Sequence, residues 1–430
     1  MRDFSFSLNP CKIVLLTFRK DEIMAGTLDY LRWRGDLSFA ERPFNSVDAS
    51  LLCSIIYLPV DRTAKGHTLK EVAEKLRILP SFQVQMQDLA GSQVLLLPQS
   101  PRLGELQILN WTNRLETDPY PLQFTAATFR LTADMIIIVY RGTDSSLIGW
   151  NEDMNMNYMP KVYGQDVAAD YLREIAQKYP NDKIYLAGHS KGGNYAEYAL
   201  SVAEPELQDR IIRALSFDGP GFFHQVWKAP GFVRAEAKMK TYLPESSIIG
   251  TMLDHPERVI IVKSTAPMVQ QHDPRRWSMG RDSFVLADSL SSGARSLRHS
   301  FIDFNHTIPD KQRGELWDAL FQAFDELNIT DVFQITAHKL LGTVRFSRVI
   351  MSLPPETQKY FLHMLGEIIN AIRGNISLPF SETDFAMYPK SNDSKKAPIF
   401  FEFYDTTVPS ILPDEIKRRF IAEKEAEKKK

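Results

Sequence analysis

The spacing of apolar residues changes along the chain. Up to about residue 111, apolar side chains recur at three- and four-residue intervals, which is typical of amphipathic helices. This pattern predicts helices at Asp21–Trp33, from Asn45 to Pro59, at Thr68–Leu79 and at Leu103–Trp111. The first 115 residues are therefore predicted to form a helical N-terminal part.

From Gln123 onward, short apolar runs alternate with helical patterns. Such alternation predicts a mainly parallel sheet with helices on both faces, because parallel strands need crossover connections. The predicted strands are Phe124–Leu131, Met135–Tyr140, a run from Lys183 to Ala187, Arg213–Phe217, Lys240–Leu243 and Arg258–Lys263, with a helix at Gly164–Tyr179. The fold class is α/β, with its core at residues 120–328.

Beyond Pro309 the helical pattern returns, at Gln312–Leu327, Thr330–Leu341 and Glu356–Ile372, and the chain ends in the charged run Glu423–Lys430. We therefore divide the chain into an α/β domain at 1–328 and a mainly helical extension at 329–430. We interpret this tail as a solvated or frayed helix without a specific function.

One stretch carries most of the chemical information. The apolar run ending at Ala187 leads into Gly188-His189-Ser190-Lys191-Gly192, and a small-residue helical pattern begins at Asn194. A strand, a tight G-x-S-x-G turn and a helix form the context of a nucleophile elbow, in which the serine is exposed at the head of the sheet. The alternative is a glycine-rich turn with a capping serine.

A serine nucleophile needs a histidine base that is oriented by an acid, and in this architecture the chain order is serine, acid, histidine. His272, one loop beyond the strand Arg258–Lys263, is the preferred base, with His299 and His306 as alternatives. Asp218 ends the strand that follows the elbow helix and is the preferred acid. Asp254, after the next strand, is the second candidate, and a purely turn-forming Asp218 is the structural alternative.

An oxyanion hole needs two backbone donors. The N–H of Lys191 follows the nucleophile, and Thr143 follows the apolar strand Met135–Tyr140. The Lys191 side chain need not take part, because the donor is its backbone N–H. Arg141 and Asp153 are expected to form a structural ion pair.

Composition excludes several function classes. The formal net charge is −2, with no basic stripe outside the tail, so no nucleic-acid partner is predicted. Two cysteines are too few for a disulfide framework and do not indicate a zinc site, and they favour a reducing, cytoplasmic location. No apolar run is long enough to span a membrane, and no metal-binding or phosphate-binding motif is present, so neither membrane insertion nor a metal or other cofactor is predicted.

Two segments of the chain resemble known hydrolases. Ile138-Val139-Tyr140-Arg141-Gly142-Thr143 and Gly188-His189-Ser190 with Gly192-Gly193 resemble fungal-type (class three) triacylglycerol lipases, in which the threonine shapes the oxyanion hole. A bacterial family of uncharacterised lipase-like α/β-hydrolases is more similar, over approximately Thr27 to Leu327. Its pattern includes Asn45-Ser46-Val47-Asp48, the Lys191-Gly192-Gly193-Asn194 continuation, Phe217-Asp218-Gly219-Pro220-Gly221-Phe222 and Gln271-His272-Asp273.

The resemblance implies an α/β-hydrolase fold, and one departure affects the acid. Fungal-type lipases place the acid one strand later, where this chain has Glu245-Ser246-Ser247, which favours Asp218.

The sequence therefore predicts a serine hydrolase of lipase or esterase type that cleaves lipid or small acyl esters through Ser190, Asp218 and His272. The alternative is a binding or scaffold protein that keeps the fold without turnover. A further alternative is peripheral contact with lipid through the apolar segments Ile248–Leu253 and Phe222–Phe232. Packing in the core explains the apolar character of these segments equally well. The oligomeric state is not predicted.

Overall fold

A single seven-stranded sheet organises the protein. A computed structural model describes residues 26–78, 89–116, 122–143, 152–326, 348 and 351–372. The strands are β1 (Ile108–Glu116), β2 (Leu122–Thr132), β3 (Met135–Tyr140), β4 (Lys183–His189), β5 (Ile211–Phe217), β6 (Met239–Pro244) and β7 (Arg258–Val262).

The strands lie side by side in the order of the chain. β1, β2 and β3 are antiparallel neighbours, and β3 to β7 run parallel to one another. The carboxyl ends of the five parallel strands therefore meet at one edge of the sheet, where open α/β sheets bind their ligands.

Helices fill the connections and cover the sheet. They are α1 (Thr27–Arg34), α2 (Ser46–Ile55), α3 (Leu69–Arg77), α4 (Leu89–Leu96), α5 (Pro101–Gly104), α6 (Tyr163–Lys178), α7 (Lys191–Ser201), α8 (Pro205–Arg210), α9 (His224–Trp227), α10 (Pro230–Ala235), α11 (Ser292–Thr307), α12 (Asp310–Glu326) and α13 (Pro355–Ile372).

The side chains of β3 show how the two faces are covered. Ile136, Ile138 and Tyr140 lie in a core with α6 and α7, whereas Ile137 and Val139 lie in a core with the N-terminal helices α1 to α4. This alternation is the two-residue period of a strand that is buried on both faces. The predicted mainly parallel sheet between two helical layers is confirmed, and the arrangement is the α/β-hydrolase fold.

Three local predictions were wrong or incomplete. The stretch predicted as a helix at Leu103–Trp111 contains only the short α5, and from Ile108 the chain enters β1, which pairs with β2 over its whole length. Cross-strand pairing in this register decides the structure here against the helical spacing. The elbow helix begins at Lys191, directly after the serine, and not at Asn194. Helix α11 was not predicted.

The C-terminal helices form a small aromatic core. Phe304 of α11, Trp317 of α12 and Phe361 of α13 pack with ring centroids 5.9–6.1 Å apart. The predicted helix Thr330–Leu341 and the charged tail lie outside the described residues, and the domain boundary at 328 stays a prediction. Among the helices of the described ranges, none is long and apolar enough to cross a bilayer.

A buried ion pair joins the N-terminal helices to one another. The guanidinium of Arg102 donates to both carboxylate oxygens of Asp48 at 2.7 and 2.6 Å, and both side chains are at most 1% exposed. The same guanidinium donates to the carbonyls of Leu37, Arg42 and Pro43. Asp48 also completes the capping box of α2 with Asn45, and it is fully buried.

We expect Arg102→Met to lower the free energy of unfolding by about 3–5 kcal/mol, because it leaves a buried carboxylate without its partner. Urea denaturation followed by circular dichroism measures the change. Arg32→Met is the matched control, since its pair with Asp29 is exposed and such pairs contribute about 1 kcal/mol or less. Equal losses in the two variants would contradict the assignment.

Candidate active site

Ser190 has an unusual backbone conformation. It lies between β4 and α7 with φ 56° and ψ −134°. Only Ser190 and Asp218 have positive φ among the described residues other than glycine. A serine in this region is strained, and such strain is characteristic of a nucleophile elbow. Its N–H donates to the carbonyl of Phe217 at 2.9 Å, which ties the elbow to the end of β5.

The elbow is possible because two glycines allow very close backbone contacts. A Cβ on Gly188 would lie 2.0 Å from the carbonyl oxygen of Gly192, so the strand and the helix could not approach across any other residue. A Cβ on Gly142 would lie 2.8 Å from the Cβ of Ser190. The loop after β3 is therefore packed directly against the serine.

Asp218 is fully buried at the end of the neighbouring strand β5. Its backbone N–H donates to the carbonyl of Tyr242 at 2.8 Å, and its φ is 50°. One carboxylate oxygen, Oδ1, accepts a short hydrogen bond from the hydroxyl of Ser247, and the other, Oδ2, lies 2.7 Å from Nδ1 of His272. The carboxylate is thus held on both oxygens.

His272 ends a short 3₁₀ segment, Met268–His272, that follows β7. An ionised carboxylate can only accept, so the bond to Asp218 places the imidazole proton on Nδ1 and leaves Nε2 as the acceptor. The ring is 28% exposed and packs against the ring of His189 at 4.5 Å, one residue before Ser190. A direct bond from Ser190 Oγ to Nε2 is not among the hydrogen bonds that the described residues form; such bonds are often long before substrate binds.

His189 has a positioning role that the sequence did not reveal. Its Nε2 lies 2.6 Å from the carbonyl oxygen of His272, so Nε2 carries the proton and donates it, while Nδ1 accepts from the hydroxyl of Tyr57 at 3.0 Å. Burial, and next the charge of His272, lower the pKa of His189 well below 6.5. His189 precedes Ser190 and so does not fit a base in the chain order serine, acid, histidine. Only the fold shows that it supports the backbone of His272.

The alternative candidates lie elsewhere. His299 and His306 are exposed on α11. Asp254 is half exposed and lies 3.9 Å from Arg298. The structure therefore brings together Ser190, Asp218 and His272, and none of the alternatives joins them.

The proposed oxyanion loop is fixed differently from expectation. The hydroxyl of Thr143 donates to Oδ1 of Asp153 at 2.9 Å. The expected pair of Arg141 with Asp153 was wrong: the charged partner of Asp153 is Lys191, at 3.6 Å, and the Arg141 guanidinium lies over the ring of Tyr57. Burial raises the pKa of Asp153.

The side chain of Lys191 forms a buried ion pair. Its ammonium is completely buried and lies 2.7 Å from Oε2 of Glu152. The other oxygen of Glu152 accepts from the hydroxyl of Tyr195 at 2.7 Å. A sequence motif cannot show this contact, because Glu152 is 39 residues away along the chain.

A narrow pocket opens beside Ser190. Its polar lining is Asp153, Asn157 and Lys191, and its remaining lining is mainly apolar: Met154, Met156, Pro220, Ile249, Met252 and Leu253. Methionine side chains adapt readily to flexible apolar ligands. Within the described ranges, no group of three or more acidic, histidine or cysteine side chains is arranged to hold a metal ion.

We expect the neutral state of His189 to make folding less favourable in acid. The unfolded chain takes up a proton near pH 6.5, whereas the folded chain does so only at a much lower pH, so stability falls as the pH drops below 6.5. Between pH 7.5 and 5.5 the wild type should lose about 1.4 kcal/mol more than His189→Gln. Urea denaturation at the two pH values measures this, and equal losses in the two proteins would contradict the prediction.

Solved structures of fungal lipases resemble the chain at low identity. The Rhizomucor miehei lipase propeptide complex is 16% identical, with 50% of this chain and 66% of that chain covered and a TM-score of 0.33. Lip2 lipase from Yarrowia lipolytica is 13% identical, with 47% of this chain and 78% of that chain covered and a TM-score of 0.30. The MDLA N225Q mutant from Penicillium cyclopium is 12% identical, with 57% of this chain and 87% of that chain covered and a TM-score of 0.33. The chain thus spans slightly less than two thirds of the Rhizomucor miehei complex.

No curated protein sequence matches the chain. A family model, Mbeg1-like, matches residues 97–322, which is more than half of the 430 residues and includes Thr143, Ser190, Asp218 and His272. The chain therefore belongs to the Mbeg1-like family, and the predicted resemblance to a lipase-like family of α/β-hydrolases is confirmed.

Proposed function

We propose that this protein is a serine hydrolase that cleaves carboxylic esters of lipids or small acyl compounds. The observation that carries the proposal is the hydrogen-bonded pair His272–Asp218, whose imidazole packs one residue away from the strained Ser190. A strained serine, an imidazole with a free acceptor nitrogen and a buried carboxylate are the three parts that an activated serine requires.

In the proposed reaction, Nε2 of His272 takes the proton of Ser190 Oγ as the oxygen attacks the ester carbonyl. Asp218 keeps the Nδ1 proton in place and stabilises the imidazolium that forms. The imidazolium then gives its proton to the departing alcohol, which leaves an acyl group on Ser190. Water, activated by the same imidazole, releases the acid and restores the serine.

The tetrahedral intermediate carries a negative oxygen that needs donors. The N–H of Lys191 lies at the start of α7, where the helix dipole also favours a negative charge, and the N–H of Thr143 comes from the loop packed on the elbow. In this arrangement the Thr143 hydroxyl supports the loop through Asp153, and the backbone supplies the donors.

The pocket beside Ser190 supports an acyl substrate. Its methionine, isoleucine and leucine side chains suit a hydrocarbon chain better than a charged or sugar group. The same proposal includes three further points. The enzyme lies in the cytoplasm, its α/β domain comprises residues 1–328, and any contact with lipid is peripheral.

A fluorophosphonate probe tests for the activated serine. We expect it to label the wild type and to leave Ser190→Ala unlabelled, because the probe is attacked by an activated serine oxygen. Gel fluorescence and intact mass measure the label, and detergent or lipid vesicles are added in parallel to exclude restricted access. A folded wild type that stays unlabelled in all conditions would favour the scaffold alternative.

Asp218→Asn tests the acid. We expect kcat for a short-chain p-nitrophenyl ester to fall by about 10³–10⁴-fold, because an amide can donate to Nδ1 and so favours the wrong tautomer. Asp254→Asn, at the alternative acid, is the matched control and should retain the wild-type kcat. If Asp254→Asn is the inactive variant, the assignment is wrong.

A further inference from the structure

The ammonium of Lys191 is completely buried and lies against two carboxylates, of which that of Glu152 is buried and that of Asp153 is 18% exposed. It is 2.7 Å from Oε2 of Glu152 and 3.6 Å from Oδ1 of Asp153, and neither its side chain nor that of Glu152 is more than 2% exposed. Tyr195, one turn along the same helix, donates to Oε1 of Glu152. The cluster thus places one cation against two adjacent carboxylates.

Stability alone is a poor explanation for this cluster. Removing a lysine and two carboxylates from water is costly, and an apolar side chain of similar volume in such a site is often neutral or stabilising. Burial raises the pKa of Asp153 even though Lys191 is close, which is consistent with a carboxylate that is poorly solvated. A buried ion pair with this cost is better explained by what it positions.

The cluster connects the two donors of the proposed oxyanion hole. At one end, the backbone N–H of Lys191 follows the nucleophile. At the other end, Asp153 accepts from the Thr143 hydroxyl, whose own backbone N–H is the second donor. Lys191 therefore reaches from the elbow helix, through Asp153, to the loop that follows β3.

We propose that the Lys191 side chain is a positioning group that holds the Thr143 loop at a fixed distance from the elbow and so assembles the oxyanion hole before substrate binds. This inference rests on the proposed esterase function. A hole that is built in advance stabilises charge in the transition state more than it stabilises the bound ester.

The same ammonium balances charge beside the developing oxyanion. Asp153 and Lys191 both line the pocket that contains Ser190, so an unpaired carboxylate there would oppose a second negative charge. Loss of the lysine should therefore raise the free energy of the tetrahedral intermediate, because both the position of the donors and the charge balance change. The free energy of the bound ester should stay the same.

The test compares Lys191→Met with the wild type on a short-chain p-nitrophenyl ester. We expect kcat to fall by about 10²–10³-fold with KM changed by less than about threefold, which is the signature of an interaction made only in the transition state. The inhibition constant of an alkylboronic acid, which forms a tetrahedral oxyanion on the serine, should rise by a similar factor. A purely structural lysine would lower the folded fraction and leave both constants of the folded protein unchanged.

Two controls separate positioning from stability. Arg102→Met breaks a different buried ion pair, far along the chain, and should lower stability while the kcat of the folded fraction stays unchanged. Lys161→Met removes an exposed pair with Asp166 and should change nothing. Circular dichroism at low temperature gives the folded fraction for each variant.

Glu152→Gln keeps the shape of the cluster and decides the question if Lys191→Met does not fold. We expect its kcat to fall about tenfold or more, with boronate affinity falling in parallel. Wild-type constants in a folded Lys191→Met or Glu152→Gln would overturn this inference alone. A wild type that neither reacts with the fluorophosphonate nor hydrolyses esters would overturn both this inference and the proposed function.

Discussion

The strained backbone of Ser190 is the constraint on which the site depends. A left-handed serine costs about 1–3 kcal/mol and persists only where its surroundings over-determine it. Here a strand and a helix touch across Gly188, the loop after β3 touches the serine across Gly142, and the Ser190 N–H is bonded to β5. Three separate contacts thus hold one residue, and the elements that make them also carry the members of the proposed machinery.

The same backbone feature, a positive φ directly after a strand, occurs at the neighbouring strand β5. Asp218 has the second positive φ of a residue other than glycine in the described ranges, and it ends β5 as Ser190 ends β4. His272 lies in the segment that follows β7, the last strand of the sheet. Asp218 binds its ring, and His189 donates to its carbonyl oxygen. The elbow therefore carries both Ser190, the proposed nucleophile, and His189, which supports the backbone of the proposed base.

The sequence was informative where a pattern of neighbouring residues, or their order along the chain, determines the structure. Apolar runs predict the parallel strands, and the chain order of serine, acid and histidine selects the residues that the fold brings together. It was uninformative where a contact is made only by folding: Lys191 with Glu152, His189 with His272, and Ser247 with Asp218 join segments with no local pattern in common. Strand β1 was missed because its apolar residues, Ile108 and Trp111, also fit a helical interval, and pairing with β2 decides its structure.

The core around Ile137 and Val139 has a consequence for how the family is delimited. The match to the family begins at residue 97, yet Tyr30, Leu51, Leu52 and Ile55 fill the space above this face of the sheet. A fragment cut at the limits of the match would expose that face, and large apolar surfaces lead to association rather than to a folded monomer. The segment recognised as similar between relatives is therefore smaller than the segment that can fold.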